Sequence, residues 1–442
     1  VSTEGTTQVA VAALSRATVV QQSARLGEPP WARERRLAAW EAFERLPAPA
    51  VARPEEWRRT DVSALDLGAL VVPDPQGPSG RAGGLGPLVR DETARAGWLA
   101  HADGRTVGRA LGAAATQAGV VFTDLASATR AHEALLREHL FALAAPEEHR
   151  FRALHAALWS AGTFLYVPPG AEVALPLVAQ TWLGTPGGAA FPHTLVVAGE
   201  GSRVALIETF ASASGQRRAL ASGVVELIAR PGAQVRYAAV QEWGPSTWEV
   251  GSVVRARVER DALVSTTMVA LGGGLVKVDV EAHLEGPGAG AEMLGLYFGT
   301  GGQHVDIHTL QEHAAPHTTS DLLYKGAVRD AARAVFAGLI RVHPGAQKTN
   351  AFQANRNLVL SAGARTDSIP KLEIMANDLR CTHGSATSRL NEEHIFYLMS
   401  RGLTRRQATF MIVEGFFADV FDRVPFETLR GYLQARVAEK MI

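Results

Sequence analysis

The sequence predicts a mainly β protein with helical ends, its middle folded as a β-solenoid. Three observations carry that prediction. The first is a short turn that recurs as Gly170-Ala-Glu-Val173, Gly201-Ser-Arg-Val204, Gly232-Ala-Gln-Val235, Asp261-Ala-Leu-Val264 and Gly290-Ala-Glu-Met293, with first residues 31, 31, 29 and 29 apart. β-branched or alternating apolar runs adjoin these turns, at Tyr166 to Val173, Thr194 to Phe210, Val224 to Val240 and Val250 to Val269. A repeated turn and strand lets each coil bury its inner face on the next. The second observation is that no helical pattern intervenes between Gly162 and Gly384, which argues against a doubly wound α/β fold. The third is a set of capped, amphipathic helical patterns after Arg389. Later copies of the turn, Gly345-Ala-Gln-Lys348 and Gly363-Ala-Arg-Thr366, lie closer together. A β-sandwich with similar turns is the alternative.

These patterns divide the chain into residues 1–160, mainly helical; 161–388, the β-solenoid; and 389–442, helical again. In the first part Val9 to Leu26 is apolar and alanine-rich, and Gly27-Glu-Pro-Pro30 stops it. Trp31 to Leu46 carries Leu37, Trp40 and Phe43 at helical spacing. Residues 71–88 hold too much Pro and Gly for regular structure and read as a linker. Two more helices are expected over Ala131 to Ala144 and Glu147 to Ser160. In the last part Asn391 caps a helix whose first turn holds Glu392 and Glu393, complementing the macrodipole. Thr404-Arg-Arg-Gln407 is a capping box for the next, and Pro425 opens a third carrying Leu429, Leu433 and Val437. The aromatic load of this region predicts either packing on the solenoid or a docking face.

At 442 residues the chain is long enough for a sizeable core. Its 44 basic and 44 acidic residues cancel, which argues against an electrostatic footprint for nucleic acid or anionic membrane. A single cysteine excludes an internal disulfide framework and suits a reducing cytosol. Neither a signal-peptide pattern nor an apolar run of membrane-spanning length is present, so the expected location is cytoplasmic.

The only cysteine lies two residues from a histidine, in Cys381-Thr-His383-Gly384. On a strand, positions i and i+2 project from one face, about 7 Å apart. Sulfur and imidazole together suit iron, copper or zinc. Two donors do not complete a site, and a buried small hydrophobe beside a hydrogen-bonded imidazole is the bland alternative. Four more histidines stand at 304, 308, 313 and 317. Alternation of Val305, Asp306 and Ile307 predicts a strand, where positions 304 and 308 would be about 13 Å apart, too far to share one ion. A structural or interfacial role is therefore expected of them. Leu271-Gly-Gly-Gly274 lacks the Lys and Ser/Thr of a phosphate-binding loop, so no ATP site is expected in this chain. Glu281 and Glu285 on a solenoid face would suit a carbohydrate-active enzyme, and a solvated sheet explains them equally.

Taken together, these residues resemble the SufB/SufD family of iron–sulfur cluster assembly proteins. The resemblance runs through Glu55-Glu-Trp57-Arg-Arg-Thr60, His313-Ala-Ala-Pro-His317-Thr-Thr-Ser-Asp321-Leu-Leu-Tyr324-Lys325-Gly326, Phe336-Ala-Gly338 and Asn357-Leu-Val-Leu-Ser361. It continues through Pro370-Lys-Leu-Glu373, Cys381-Thr-His383-Gly384 and Phe396-Tyr-Leu-Met-Ser-Arg401-Gly402. Ile374 stands where the SufB branch has a cysteine, and Thr382-His383-Gly384 replaces that branch's Glu-His-Glu, so the chain is more similar to the SufD branch. The resemblance implies a right-handed parallel β-helix between helical ends and a non-catalytic scaffold role. It also implies pairing with a SufB-like subunit through the β-helix and docking of a SufC-like ATPase on the C-terminal helices, near Phe396, Arg401, Met411, Phe416, Phe417 and Val420. A transient iron–sulfur cluster would form at the SufB–SufD interface, with His383 as the metal-contacting residue and Cys381 as a second candidate. The sheet edges of a β-helix would also allow homodimers where the SufB-like partner is absent, and whether they form, like the part of a flavin, is left undetermined. Two readings from other classes remain at this point: a β-helix enzyme acting on polysaccharide, and a self-contained metalloprotein built on the clustered histidines.

Overall fold

The computed structural model describes residues 11–49, 55–74 and 86–441. Its centre is a parallel β-helix of two facing sheets, ten-stranded and eleven-stranded, with helices at both ends of the chain. From Leu177 onward each strand pairs in parallel with the strand one coil further along, as in Gln234–Glu242 with Leu263–Ala270 and Leu275–Leu284 with His304–His313. From Gln234–Glu242 onward consecutive strands alternate between the two sheets, and this parallel coil-to-coil pairing rules out the sandwich. The lumen is filled by inward residues of both sheets, among them Val204, Leu206, Val235, Val264, Val278, Val305, Met293, Leu322 and Phe336.

The recurring turn works because one residue adopts the left-handed conformation and reverses the chain. Gly170, Gly201 and Gly232 do so with φ of 71°, 66° and 70°, and Asp261 follows with 56°. Glycine has no Cβ penalty there, and aspartate tolerates the region better than most residues. The next turn residue is Gly288, at φ 74°, and not Gly290, which already opens a strand. His317 and Lys348 then hold the same column with φ of 60° and 63°, so neither Gly345 nor Gly363 marks it. A second column, at the opposite corner, includes Gly301 and Asp330, both at φ 60°, and the Asp330 carboxylate accepts the Gly301 N–H at 2.8 Å.

The N-terminal part is less helical than its sequence suggests. The first predicted helix divides into a strand, Val11–Ala13, and α1, Arg16–Leu26, capped by Ser15 and ended by Gly27 at φ 63°. Val11–Ala13 pairs antiparallel with Val71–Pro73. Val9 and the body of the predicted linker, residues 75–85, lie outside the described residues. Helix α2, Pro30–Arg45, and helix α3, Arg150–Leu158, form where expected. The helix predicted over Ala131 to Ala144 is shorter, Glu133–His139, with another short helix, Leu125–Ala131, just before it, and the chain turns at Phe141 with φ 61°. Three further strands of this part were not anticipated either: Gly97–Ala102 and Arg105–Leu111 lie at one end of the ten-stranded sheet, and Val121–Asp124 at the same end of the other. α2 and α3 pack on the outer face of the eleven-stranded sheet through Trp31, Trp40, Leu154 and Trp159 against Leu195 and Ile228.

One buried cluster ties these layers together. Glu226 accepts the backbone N–H groups of Phe141 and Leu143 at 2.7 and 2.6 Å, and its carboxylate faces His193 Nε2 at 3.1 Å. His193 Nδ1 lies 3.0 Å from His155 Nε2, and His155 donates from Nδ1 to the Ser222 carbonyl at 2.7 Å. Burial holds His155 well below its ordinary pKa, so it is the neutral acceptor in this relay. The cluster is wholly enclosed, and its hydrogen bonds fix the 141–144 turn against the sheet.

A second set of charges runs along the outer face of the eleven-stranded sheet. His283 lies between Glu281 Oε2 at 3.0 Å and Glu312 Oε2 at 2.5 Å, and Arg255 closes on Glu281 at 2.7 Å. Burial opposes the charge on His283, but the two carboxylates prevail and raise its pKa to about 9. Because this value is raised, the contribution to stability is complete below the unfolded value near 6.5 and is lost as pH rises through about 9. A thermal unfolding series from pH 6.5 to 9.5 should therefore show wild type losing more stability than His283→Gln, by at most about 3 kcal/mol. Parallel curves would remove His283 as the cause.

At the other end of the chain stand α4, Glu392–Ser400, α5, Arg405–Phe421, and α6, Glu427–Lys440. Asn391 accepts from Glu393 N, and Thr404 and Gln407 form the predicted capping box. α5 and α6 cover the outer face of the ten-stranded sheet, where Val413, Phe417, Val420, Phe421, Leu429 and Leu433 meet Leu296, Phe298, Leu323 and Leu358. Two lysines pin them. Lys325, 3% exposed, donates to the Phe416 carbonyl at 2.7 Å and to Asp419 at 2.6 Å. Lys440 donates to the Phe298 carbonyl and to Gln303, each at 2.8 Å.

Candidate functional site at the open end of the solenoid

The two ends of the β-helix differ. One ends in Arg105–Leu111 and Val121–Asp124, edge strands that each run antiparallel to their single neighbour. The other ends in two edge strands, Arg365–Ile374 of the eleven-stranded sheet and Arg380–Arg389 of the ten-stranded sheet, neither of which has a neighbour on its outer side among the described residues. Met375 N and Arg365 N bond inward to Val342 O and Ala332 O, so the backbone groups of residues 366, 368, 372 and 374 face outward. Arg380 N likewise bonds inward to Thr349 O, which turns those of 381, 383, 385 and 387 outward. Such rows of unpaired N–H and C=O groups are templates for another strand. Leu372, Ile374 and Met375 add exposed apolar surface at the same edge.

Cys381 and His383 stand on the second edge strand, in register with Ala351 and Gln353 one coil below. The side-chain direction follows from contacts across the lumen. Ser385 meets Ser368 at 2.8 Å and Thr387 meets Thr366 at 3.2 Å, so the odd-numbered residues of Arg380–Arg389 face inward. Cys381 and His383 share that face, as their spacing predicts. Their environments differ. Cys381 is half-buried with Ile340, Val342, Ala346, Ala351 and Leu379, and burial pushes its thiol up from the ordinary value, favouring the protonated form. His383 is exposed at the rim.

Below the rim the lumen is polar. Gln353, 1% exposed, sends Nε2 toward the Gly338 carbonyl and leaves Oε1 without a partner among the described residues. A Cβ at position 338 would come within 2.3 Å of that carboxamide, so any other residue there would displace the end of the Gln353 side chain. The neighbouring motif residues are likewise spent on packing: Tyr297 lies where a Cβ of Gly326 would stand, at 1.8 Å, and its hydroxyl donates to Asn357 at 2.5 Å. Tyr324 fills the matching gap over Gly295.

The clustered histidines do not converge. His304 binds the Thr60 hydroxyl at 2.8 Å, and His308 meets Asp306 at 3.0 Å. His313 is buried between Thr318 and Ser320, each at 2.8 Å, and burial lowers its pKa to about 4. His317 is a turn residue. Among the described residues no group of three or more His, Cys, Asp and Glu is arranged to hold a metal ion. The open end of one chain thus offers one exposed imidazole and one half-buried thiol, and a metal bound there needs further ligands from another molecule.

The residues expected at the C-terminal docking region fall into two groups. Phe396 is 73% exposed and Met411 49%, and Arg401 lies over the Tyr397 ring at 5.2 Å. Phe417 and Val420 are fully buried against the sheet, and Phe416 is half-buried beside them. The reason lies in the helix period, since residues 413, 417, 420 and 421 form one stripe and 411 lies off it. Sequence reasoning missed Lys325 as the pin beneath this stripe, although it stands inside the motif Tyr324-Lys325-Gly326. The outward row of the first edge strand was also missed.

No helix among the described residues is long and apolar enough to cross a membrane. The family model described as SUF system FeS cluster assembly, SufBD core domain, matches residues 181–416. The iron–sulfur cluster assembly protein SufD of Bacillus subtilis (strain 168) is 28% identical over 417 residues, 94% of this chain and 95% of that protein. SufB of the same organism is 30% identical over 309 residues, 70% of this chain and 66% of that protein. A SufBD family protein of Staphylococcus epidermidis (strain ATCC 12228) is 28% identical over 413 residues, 90% of this chain and 87% of that protein. With more than half of its length matched by that family and the β-helix to go with it, the chain belongs to the SufB/SufD family of iron–sulfur cluster assembly proteins.

Proposed function

We propose that this chain is a non-catalytic scaffold subunit, SufD-like in role, that pairs through its open end with a SufB-like subunit so that a nascent iron–sulfur cluster forms between them. The observation that carries the reading is the position of His383: exposed, facing the lumen, on the last strand of an unpaired sheet edge. A neutral imidazole there supplies one nitrogen donor to iron, and the partner supplies the remaining ligands. Cys381 is the weaker candidate, because its thiol must lose a proton that its apolar surroundings retain. The cluster is cargo, held until it is passed on.

Docking of a SufC-like ATPase falls to the exposed side of α4 and α5, through Phe396, Arg401 and Met411. Phe416, Phe417 and Val420 act behind that surface, fixing α5 on the sheet. Nucleotide hydrolysis belongs to that partner, and the assembly works in the cytoplasm. The test is the mass, by light scattering, of this chain co-expressed anaerobically with its host's SufB-like and SufC-like proteins. A complex containing all three is expected. A chain that ignores both partners overturns the reading.

A further inference from the structure

The motif Glu55-Glu-Trp57-Arg-Arg-Thr60 has no part in the proposed assembly role, yet it roofs one end of a groove. Trp57 stacks on His149, with ring centroids 4.8 Å apart and planes 2° from parallel. The Thr60 hydroxyl, bonded to His304 at 2.8 Å and to Asp306, ties the segment to the outer face of the eleven-stranded sheet. From this roof a groove of about 520 Å³ runs across the coils. Val276, Val278 and Val280 fill the lumen, so Lys277, Asp279 and Glu281 point outward, to the groove side of the sheet.

The roofed end carries hydrogen-bond donors without acceptors. Lys277 is 2% exposed, and its ammonium has no hydrogen-bond partner among the described residues. The carboxylates of Asp306 and Asp279 lie 3.6 and 3.7 Å away, ion pairs too long to be hydrogen bonds. Arg152, 5% exposed, gives its terminal nitrogens to Glu148 and Asp279 and leaves its Nε–H unpartnered among the described residues. His149 accepts the Phe151 N–H at Nδ1, so the neutral ring carries its proton on Nε2, which is buried and likewise unpartnered. Burial lowers the His149 pKa to about 4 and keeps the ring neutral. Arg152 and Lys277 both reach Asp279, and the Lys277 ammonium lies 5.7 Å from the centre of the Trp57 ring that covers His149. The three donors therefore gather at one place.

A buried N–H without an acceptor is costly, so an oxygen that supplies one binds favourably. Because every unpartnered group in this trio is a donor, the matching head is acceptor-only, as a carboxylate is. A doubly charged phosphate suits the place less well, since Asp279 and Asp306 already flank the ammonium. Beyond the donors the floor is apolar. Glu281 lies in register with Leu310 and then Leu339, and Asp279 with His308 and then Ala337. Leu310, Ala337 and Leu339 thus carry the floor two strand spacings, about 10 Å, away from the donors.

We propose that this groove binds a slender monocarboxylate, its head at Lys277, Arg152 and His149 and its apolar tail along Leu310, Ala337 and Leu339. The motif around Trp57 is then the cover of a ligand site. Nothing in this site depends on the partners proposed above.

The experiment titrates octanoate calorimetrically into the isolated full chain. One molecule should bind per chain, and acetate, which has the head alone, should bind at least about tenfold more weakly. Octylamine, with the same tail and an ammonium head, should not bind. Leu339→Glu sets a carboxylate beneath the tail on a half-buried surface, so it should weaken octanoate about tenfold or more and leave the thermal unfolding curve in place. Lys277→Met should weaken it as much through the head, and where that substitution unfolds the chain Leu339→Glu decides alone. No binding below about 10 mM, equal binding of octylamine, or an unchanged affinity in Leu339→Glu overturns the proposal.

Discussion

In the co-expressed three-subunit complex, His383→Ala should abolish most of the iron and acid-labile sulfide while leaving the assembly intact. The side chain is exposed at the rim and has no hydrogen-bond partner among the described residues that its loss would orphan. Removing it costs little folding energy, as expected for a surface position. On the proposed function, however, a cluster shared between chains would lose one of its few ligands, leaving the Cys381 thiol as this chain's other candidate donor. Cys381→Ala is the useful comparison. It empties a half-buried apolar contact, so a modest loss of stability with near-normal cluster content would mark it as packing. Iron and sulfide at the wild-type level in His383→Ala would take His383 out of the site, whatever the complex does.

How much of this was open to reading in the sequence depends on which physical signal each feature uses. The coils were legible because glycine recurs where the backbone must take positive φ. The same logic failed where other residues fill that role. His317 and Lys348 sit at φ 60° and 63°, and nothing in their chemistry announces it. They are held there by the pairing of the strands on either side, so the local preference is overridden by tertiary structure. Gly290 misled for the complementary reason: two glycines stand close together, and only Gly288 is in the turn.

The shared face of Cys381 and His383 was legible, because period 2 on a strand needs no neighbour to establish it. That the face is the lumenal one was not. It depends on Ser385 and Thr387 meeting Ser368 and Thr366 across the coil, a contact between strands whose order in space the sequence does not state. The N-terminal strands were hidden for a similar reason. Gly97–Ala102 is a short run that earns its conformation by pairing with Leu177–Leu183, and alone it has no more strand character than helix.

The C-terminal helices provide the second large effect, and it separates two roles that the sequence left merged. Phe417→Ala should destabilise the packing of α5 and α6 on the sheet by about 3–5 kcal/mol, the usual cost of deleting a fully buried phenyl ring. The ring lies 5.1 Å from that of Phe416 and 6.2 Å from those of Phe298 and Phe421, centre to centre, so the cavity borders both the sheet and the helix itself. The Lys325 contacts to the Phe416 carbonyl and Asp419 depend on the same seat. Hydrogen exchange should therefore report faster opening across residues 405–440, while the coils of the β-helix keep their protection. Met411→Asp is the counterpart. Its side chain is half exposed and outside the buried stripe, so stability should change by no more than about 0.5 kcal/mol. Association with a SufC-like ATPase should nevertheless weaken by tenfold or more, because a carboxylate would replace an apolar contact at the docking face. If Met411→Asp binds as wild type does, the docking surface lies elsewhere. If Phe417→Ala leaves exchange in α5 and α6 unchanged, the ring does not hold the helices to the sheet.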